Sequence, residues 1–324
     1  RRQEIGQETV RIIEELNGVY PSPSGVAGET VAIPQAWLAL ADEQDAVIDH
    51  HDATELQPAT MDPSADEDAA VMPTIQVADT DCLAEALRLQ DLGYNPVVLN
   101  MSSKTNPGGG FRTGAGAQEE NLFRRTNLFR FLEGRKRQLY PIPDRGGHYI
   151  RKAVVFRDTE QNNYAFLPQP RTMAFVAVPA LKRPSLQTDE SGRLALGAQD
   201  RELTRDKVRA ILNIGLKHGH DAIVLSALGC GAYGNPPADV AAAFHDVITR
   251  EYCPSAEVAT DEAAPPEGAS DPRRRSKPWL GYRHISFAIF DDKNAFGRHN
   301  PDGNLRPFQA RFGSVCARAS SRHA

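Results

Sequence analysis

The feature that most constrains this 324-residue chain is a buried strand that runs directly into three consecutive glycines. Residues 96–101 contain the apolar run Val97-Val98-Leu99, which is typical of a strand covered on both faces. Gly108-Gly109-Gly110 follows, and glycines let a backbone approach a ligand closely and present N–H groups to a phosphate. After a seven-residue spacer, Gln118-Glu119-Glu120 opens a predicted helix, whose positive dipole end favours ionised carboxylates. The order predicts a phosphate-anchored ligand beside an acid/base residue.

A second glycine-rich segment repeats this arrangement more than a hundred residues further on. A strand predicted over 221–225 leads into Ser226–Pro237, which contains Gly229, Gly231 and Gly234. A helix predicted over 237–250 follows. Backbone N–H groups of such a loop, together with the start of the helix, suit a diphosphate.

Strands and helices alternate along the rest of the chain. The predicted helices are 3–16, 81–92, 118–132, 202–218 and 237–250, and the predicted strands are 74–77, 96–101, 153–157, 173–178, 221–225 and 284–290. This alternation predicts an α/β sandwich with ligand loops at the carboxyl ends of the strands.

Two segments interrupt the pattern. Residues 42–73 are rich in Asp, Glu, Ala and Pro, which predicts a partly disordered excursion, and residues 254–278 are interpreted as a flexible insertion. We therefore expect an N-terminal helical extension over 1–73, a catalytic domain over 74–315 and a tail over 316–324. The basic run Arg273-Arg274-Arg275 is interpreted as solvated surface, as a nuclear-localisation patch or as a contact for an anionic polymer.

Composition excludes several classes of protein. A net charge of −5 disfavours nucleic-acid binding as the main role. The four cysteines are scattered and the nine histidines form no ligand motif, so neither a metal nor another cofactor is expected. The scattered cysteines also favour a reducing compartment. No apolar run is long enough to predict a membrane span.

The two glycine motifs resemble those of the microbial-type poly(ADP-ribose) glycohydrolases, a branch of the macrodomain superfamily. The resemblance covers residues 74–315, with a weaker match in the first helix. It implies a macrodomain-like three-layer α/β/α sandwich with a mixed sheet, elaborated by the N-terminal extension and the long insertions.

The resemblance also implies roles for individual residues. Glu120 would be the catalytic acid/base, and Glu119 would bind or position the sugar hydroxyls. Asp79 would recognise the adenine amino group or cap the next helix. The other implied substrate-binding residues are Asn100, Gly108, Gly109, Gly110, Phe111, Gln118, Gly229, Cys230, Gly231, Ala232, Tyr233, Gly234 and Asn235. Phe296 and Phe308 stay open as adenine-facing aromatic residues, and Asn106 as a ligand contact or a loop tie.

The implied activity is hydrolysis of the ribose–ribose O-glycosidic bonds of poly(ADP-ribose), or of polymer on modified proteins, with ADP-ribose as product. Two alternatives stay open: a reader that binds ADP-ribose without cutting it, and a hydrolase of mono-ADP-ribosylated side chains. An intracellular monomer of the cytoplasm or nucleus, reversing ADP-ribosylation in the DNA damage response, is expected.

Overall fold

The computed structural model describes residues 1–56, 73–252 and 281–320, with side chains described through residue 313. The described strands are β1 (Val19–Pro21), β2 (Thr30–Ala32), β3 (Val47–His50), β4 (Thr74–Ala78), β5 (Pro96–Met101), β6 (Gly147–Arg157), β7 (Phe166–Val178), β8 (Leu186–Thr188), β9 (Leu194–Leu196), β10 (Ala222–Leu225) and β11 (His284–Ala288). The described α-helices are α1 (Arg2–Glu14), α2 (Gln35–Ala39), α3 (Cys82–Asp91), α4 (Gln118–Arg125), α5 (Leu128–Leu132), α6 (Lys136–Leu139), α7 (Ala198–Lys217), α8 (Pro237–Glu251) and α9 (Leu305–Ser320).

A seven-stranded mixed sheet forms the centre of the fold, with the strand order β3-β6-β7-β5-β10-β11-β4. The strand β6 runs antiparallel to its neighbours β3 and β7, and the other neighbouring pairs are parallel. The glycine motifs follow β5 and β10, which are parallel neighbours in the sheet. The two motifs therefore meet at the same edge.

Helices cover both faces of the sheet. Alternate residues of β5 point to opposite faces, so that Val98 packs into one core cluster and Val97 and Leu99 pack into the other. The first cluster includes side chains of α1, α3, α4 and α5, and the second includes side chains of α7, α8 and α9. The predicted three-layer α/β/α sandwich with a mixed sheet is confirmed.

The N-terminal helix is tied to the helix that carries the paired glutamates. Ile12 and Ile13 of α1 are buried in the core. Thr9 Oγ1 donates to the Arg124 carbonyl oxygen at 2.6 Å, and Arg157 Nε donates to the same hydroxyl at 3.1 Å. The amphipathic helix predicted over 3–16 is thus present, and it fixes the far end of α4.

The single helix predicted over 118–132 is wrong, because the chain forms α4 and α5 with a break between them. Thr126 has extended backbone angles and forms an isolated bridge with Val155 of β6. Asn127 N–H donates to the Val154 carbonyl, and Asn127 Oδ1 accepts from Val154 N–H at 2.7 Å. The strand β6 supplies the backbone hydrogen-bond partners of residues 126 and 127. The apolar pattern of residues 118–132 does not indicate this pairing, because the partners are distant in sequence.

Part of the predicted acidic excursion is a strand of the main sheet. Val47–His50 pairs antiparallel with β6, with Val47 opposite Ile150 and His50 opposite Gly147. The prediction of a partly disordered segment is therefore wrong for Val47–His50, because these residues pair with β6, a strand a hundred residues away. Residues 57–72, the 254–278 insertion and Arg273-Arg274-Arg275 lie outside the described residues, and α9 runs across the predicted tail boundary at 315.

Candidate active site

A cavity of about 550 Å³ lies between the first loop, residues 102–117 after β5, and the second loop, residues 226–236 after β10. Both loops leave the carboxyl ends of neighbouring parallel strands, which is where open α/β sheets bind their ligands. The first turn of α4 closes one side of the cavity with Gln118, Glu119 and Glu120. The site is therefore assembled from the two glycine motifs and one helix start.

Glu119 is held by three donors of the first loop. Its Oε1 atom accepts from Ser102 Oγ and from Gly108 N–H, both at 3.0 Å, and its Oε2 atom accepts from Ser103 N–H at 2.8 Å. Burial nevertheless raises the pKa of the Glu119 carboxyl to about 7, and the neighbouring charge of Glu120 adds to the rise, whereas the three donors oppose it. Glu119 therefore changes charge near neutral pH.

This raised pKa makes a prediction about stability. A carboxyl whose pKa is raised in the folded state stabilises the fold at low pH, and this contribution is lost as pH rises from about 4.5 to about 7. Replacing Glu119 with Gln removes the titration, so the variant should gain up to about 3 kcal/mol of unfolding free energy relative to the wild type between pH 4.5 and 8. Thermal unfolding of both proteins at several pH values measures the difference. Glu190→Gln, on an exposed turn, serves as the control, and a constant Glu119→Gln difference across this range contradicts the prediction.

Glu120 faces a different part of the first loop. Its Oε1 atom accepts from Gly110 N–H at 3.1 Å and its Oε2 atom accepts from Ala117 N–H at 3.0 Å. A Cβ atom on Gly109 would lie 2.3 Å from Glu120 Oε1, and Gly109 has a φ of +53°. Glycine is required here because any side chain would displace the carboxylate. As predicted, the two glutamates point to different partners.

Gln118 fixes α4 to the sheet. Its Oε1 atom accepts from Met101 N–H at 2.9 Å, and its Nε2 atom donates to the Leu99 carbonyl at 2.6 Å. The side chain thus caps the end of β5 and sets the position of the helix start. This geometry supports the predicted orienting role of Gln118.

The second loop is braced by its own side chains and by the segment before α9. Asn235 Nδ2 donates to the carbonyls of Leu181 and Gly229, and His299 Nε2 lies 2.8 Å from the Cys230 carbonyl oxygen. Gly229 has a φ of +73°, and an added Cβ would lie 2.5 Å from both Ala180 and Asn235. The loop conformation is therefore fixed at several points.

The predicted site residues divide into two groups. Those that line the cavity are Gly109, Gln118, Glu119, Glu120, Gly229, Gly231, Ala232 and Tyr233. The others lie outside its lining: Asn100, Gly108, Gly110, Phe111, Cys230, Gly234, Asn235 and Asp79. Gly108, Gly110 and Asn235 instead support the site through the hydrogen bonds described above.

Three of the remaining residues outside the lining are buried, namely Phe111, Cys230 and Asn100. Phe111 packs against Phe123 in the core, and burial raises the pKa of the Cys230 thiol well above its usual range, which opposes a nucleophilic role. Asn100 lies in the interior, and within the described part of the chain its amide atoms have no hydrogen-bond partner. Asn106 ties the first loop by donating to the Gly109 carbonyl at 2.8 Å, although it also lines the cavity.

Asp79 is exposed, and Asp81 occupies the place predicted for it. The strand β4 ends at Ala78, and a bend then directs Asp81 into the cavity lining. Asp81 caps α3 by accepting from Ala84 N–H at 2.9 Å, and both its carboxylate oxygens lie 2.8 Å from Arg125 Nη1. The capping role that competed for Asp79 therefore belongs to Asp81.

Neither Phe296 nor Phe308 lines the cavity, and its aromatic lining residues are Tyr233 and Phe290. Phe308 is buried in the core, Phe296 is exposed outside the lining, and Phe290 lines the cavity with 47% of its surface exposed. Its position directly after β11 was a usable signal, because ligand loops follow parallel strands. Sequence reasoning also missed Asn121, which directly follows Glu120. It missed cavity residues that are distant along the chain as well, namely Arg2, Glu160, Lys182, Lys293 and Asn304.

In residues 1–56, 73–252 and 281–320, no group of three or more His, Cys, Asp or Glu side chains is placed to hold a metal ion. Helices long and apolar enough to cross a membrane are likewise absent from these described segments.

Fold and site together define a macrodomain-like protein with two buried carboxylates facing its ligand cavity. Residues 7–158 match the family model of the microbial-type PARG catalytic domain. Poly(ADP-ribose) glycohydrolase (PARG) from Thermomonospora curvata is similar in structure, with 28% identity, a TM-score of 0.67, and coverage of 96% of this chain and 99% of that one. Residues 7–158 are therefore similar to the microbial-type PARG catalytic domain, and the fold is similar to that of bacterial PARG structures.

Two further solved structures are similar. The Thermomonospora curvata enzyme bound to the inhibitor ADP-HPD has 28% identity and a TM-score of 0.65, with coverage of 96% of this chain and 99% of that one. PARG from Deinococcus radiodurans in complex with ADP-ribose has 22% identity and a TM-score of 0.62, with coverage of 88% of this chain and 100% of that one. At this identity the match supports the fold alone. No curated protein matches the chain.

Proposed function

We propose that this protein is a poly(ADP-ribose) glycohydrolase that cleaves ribose–ribose O-glycosidic bonds and releases ADP-ribose. The observation that carries the proposal is the pair of carboxylates, Glu119 and Glu120, buried between two glycine loops in a chain that is similar to this family. The loops offer backbone N–H groups to a diphosphate, and the carboxylates supply acid/base chemistry beside it.

In the mechanism, Glu120 protonates the oxygen of the departing ribose. The glycosidic bond then breaks through an oxocarbenium-like transition state. The resulting Glu120 carboxylate removes a proton from the water that attacks the anomeric carbon. Gly110 and Ala117 N–H groups hold this carboxylate at both oxygens, so its position is set before the substrate arrives.

Glu119 in its carboxylate form accepts a hydrogen bond from a hydroxyl of the distal ribose. Its negative charge also favours the positive charge that develops on the sugar ring. Tyr233 of the second loop lies on the other side of the cavity, and we assign it the role of pressing against the same ribose. The distal sugar is thus held between the two loops.

Incubation of the purified chain with poly(ADP-ribose) tests this function, with ADP-ribose as the measured product. Mono-ADP-ribosylated protein is the parallel substrate, and calorimetry with ADP-ribose measures binding. Binding without degradation identifies a reader, and preference for the mono-modified protein identifies a mono-ADP-ribosyl hydrolase. Either result overturns the proposal.

We assign Phe290 the role of stacking on the adenine base. A base stacked on an aromatic side chain contributes about 1–3 kcal/mol, so Phe290→Ala should weaken ADP-ribose binding at least about fivefold. Calorimetric titration of the variant measures the dissociation constant. Phe296→Ala is the matched control, because Phe296 is exposed six residues further on and lies outside the cavity lining. Equal affinities of the two variants would remove Phe290 from the site.

The expected monomer stays a prediction. Cys82 and Cys230 are free and buried, which supports the expected reducing, intracellular location. Size-exclusion chromatography with light scattering tests the first expectation, and fluorescence localisation of the tagged chain tests the second.

A further inference from the structure

The Tyr140 side chain is partly buried next to the Glu119 carboxylate, outside the cavity lining, and its hydroxyl oxygen is buried. Within the described residues its hydroxyl group makes no hydrogen bond of standard distance and angle, and it faces the side chain of Ser102. Ser102 in turn donates to Glu119 Oε1 at 3.0 Å. A buried hydroxyl without a partner costs stability, so its presence one side chain away from a site carboxylate needs a functional explanation.

The surrounding structure holds the Tyr140 hydroxyl in this position. Ile142 N–H donates to the Lys104 carbonyl at 2.9 Å, which fixes the segment after α6 to the first loop. On the other side, the Tyr140 ring packs edge-on against the buried His148 ring, with 5.4 Å between ring centres. The phenol is therefore confined between β6 and the first loop.

Ser102 has one hydroxyl proton and two acceptors. Glu119 Oε1 lies 3.0 Å from Ser102 Oγ, and the Ser103 carbonyl oxygen lies 3.1 Å from the same atom. The choice between them matters, because a donor on the Glu119 carboxylate stabilises its charged form. A second hydroxyl that donates to Ser102 Oγ restricts the rotation of the Ser102 hydroxyl, and so determines whether its proton points to Glu119 or to the Ser103 carbonyl.

We propose that Tyr140 is a positioning residue for the reaction: its hydroxyl donates to Ser102 Oγ, directs the Ser102 proton to Glu119, and so keeps Glu119 ionised for the substrate. This role rests on the proposed function, since it concerns the carboxylate that binds the distal ribose. Tyr140 acts through Ser102 and touches neither the substrate nor the reacting atoms.

Other groups also face Glu119 and contribute to its charge state. Glu120 on the same helix raises the pKa of Glu119, because two negative charges repel each other. Tyr233 faces Glu119 from the second loop, and burial raises the pKa of this phenol, so it is neutral near pH 7. Lys104 of the first loop pairs with Asp144 instead, and burial lowers the pKa of His148, which keeps it neutral behind Tyr140.

The test is the pH profile of Tyr140→Phe, which removes only the hydroxyl group. The acidic limb of kcat/KM for polymer hydrolysis should move upward by about half to one pH unit. Activity at pH 6.5 should then fall about threefold to tenfold, while activity at pH 9 should change less than about twofold, because Glu119 is ionised there in both proteins. ADP-ribose affinity should show the same shift of its pH midpoint.

Tyr20→Phe is the matched control, because Tyr20 is another buried phenol whose hydroxyl bonds a backbone carbonyl far from the site. Its profile should not move. Ser102→Ala should shift the profile in the same direction as Tyr140→Phe, and adding Tyr140→Phe to Ser102→Ala should cause no further shift. Thermal unfolding of each variant is measured alongside, and if Tyr140→Phe lowers stability, the pH profile is compared at a temperature at which both proteins are folded.

An unshifted Tyr140→Phe profile, or shifts that add in the double variant, would overturn the role of Tyr140. If the wild type does not hydrolyse the polymer, the proposed function fails by itself. The pH midpoint of ADP-ribose affinity then still decides the role of Tyr140.

Discussion

Replacing Glu120 with Gln is expected to reduce polymer turnover by at least about a thousandfold, with ADP-ribose affinity changed only a few-fold. Glutamine cannot give a proton to the departing ribose or take one from water, and general acid/base catalysis contributes about 10²- to 10⁴-fold at each proton transfer. The side chain has nearly the same shape, so it stays between Gly110 and Ala117. Single-turnover release of ADP-ribose measures the loss.

Glu133→Gln provides the control for this variant. Glu133 follows α5, pairs with Arg112 on the surface and lies outside the cavity lining, so turnover should stay normal. Calorimetry on Glu120→Gln separates lost chemistry from lost binding. Near-normal turnover of Glu120→Gln would eliminate it as the acid, whereas a parallel loss of ADP-ribose affinity would indicate that it mainly binds.

The second large effect concerns the pair formed by Asp81 and Arg125. Asp81→Ala should lower the unfolding free energy by about 3–5 kcal/mol, because it leaves a buried guanidinium without its carboxylate. The Arg125 side chain is only 1% exposed, and both Asp81 oxygens lie 2.8 Å from its Nη1 atom. Loss of the helix cap on Ala84 contributes about 1 kcal/mol to the same change. Urea unfolding measures the total.

Asp79→Ala is the matched control for Asp81→Ala, since it removes an exposed carboxylate two residues earlier and should change stability by less than about 0.5 kcal/mol. Adding Arg125→Leu to Asp81→Ala should recover part of the loss, because an apolar side chain leaves no unpaired charge in the interior. Equal stability of the Asp79 and Asp81 variants would contradict the structural account of this pair.

The location of the site was predictable because both of its halves are local. Gly108–Gly110 and Gly229–Gly234 each follow a short apolar strand directly, and parallel strands carry their loops at one edge. The acidic start of α4 was also predictable from its neighbouring residues, because carboxylates are favoured at the positive end of a helix. These signals need only the neighbouring residues.

The errors share a different cause. The break between α4 and α5, the strand Val47–His50 and the choice of Asp81 over Asp79 all depend on partners far away in the chain. Val155, β6 and Arg125 supply those partners, and neither hydrophobic periodicity nor composition reports which distant residue completes a hydrogen bond. Short segments beside such partners are therefore hard to assign.

The sequence by itself determined the α/β class, the two loops and the residues Glu119 and Glu120, because backbone flexibility, strand burial and helix polarity are properties of short segments. Only the tertiary structure decided what each carboxylate touches, that Phe290 faces the cavity, and that the buried hydroxyl of Tyr140 lies near Glu119. These arrangements depend on packing between elements that are distant in sequence, where burial sets both the geometry and the charge of a group.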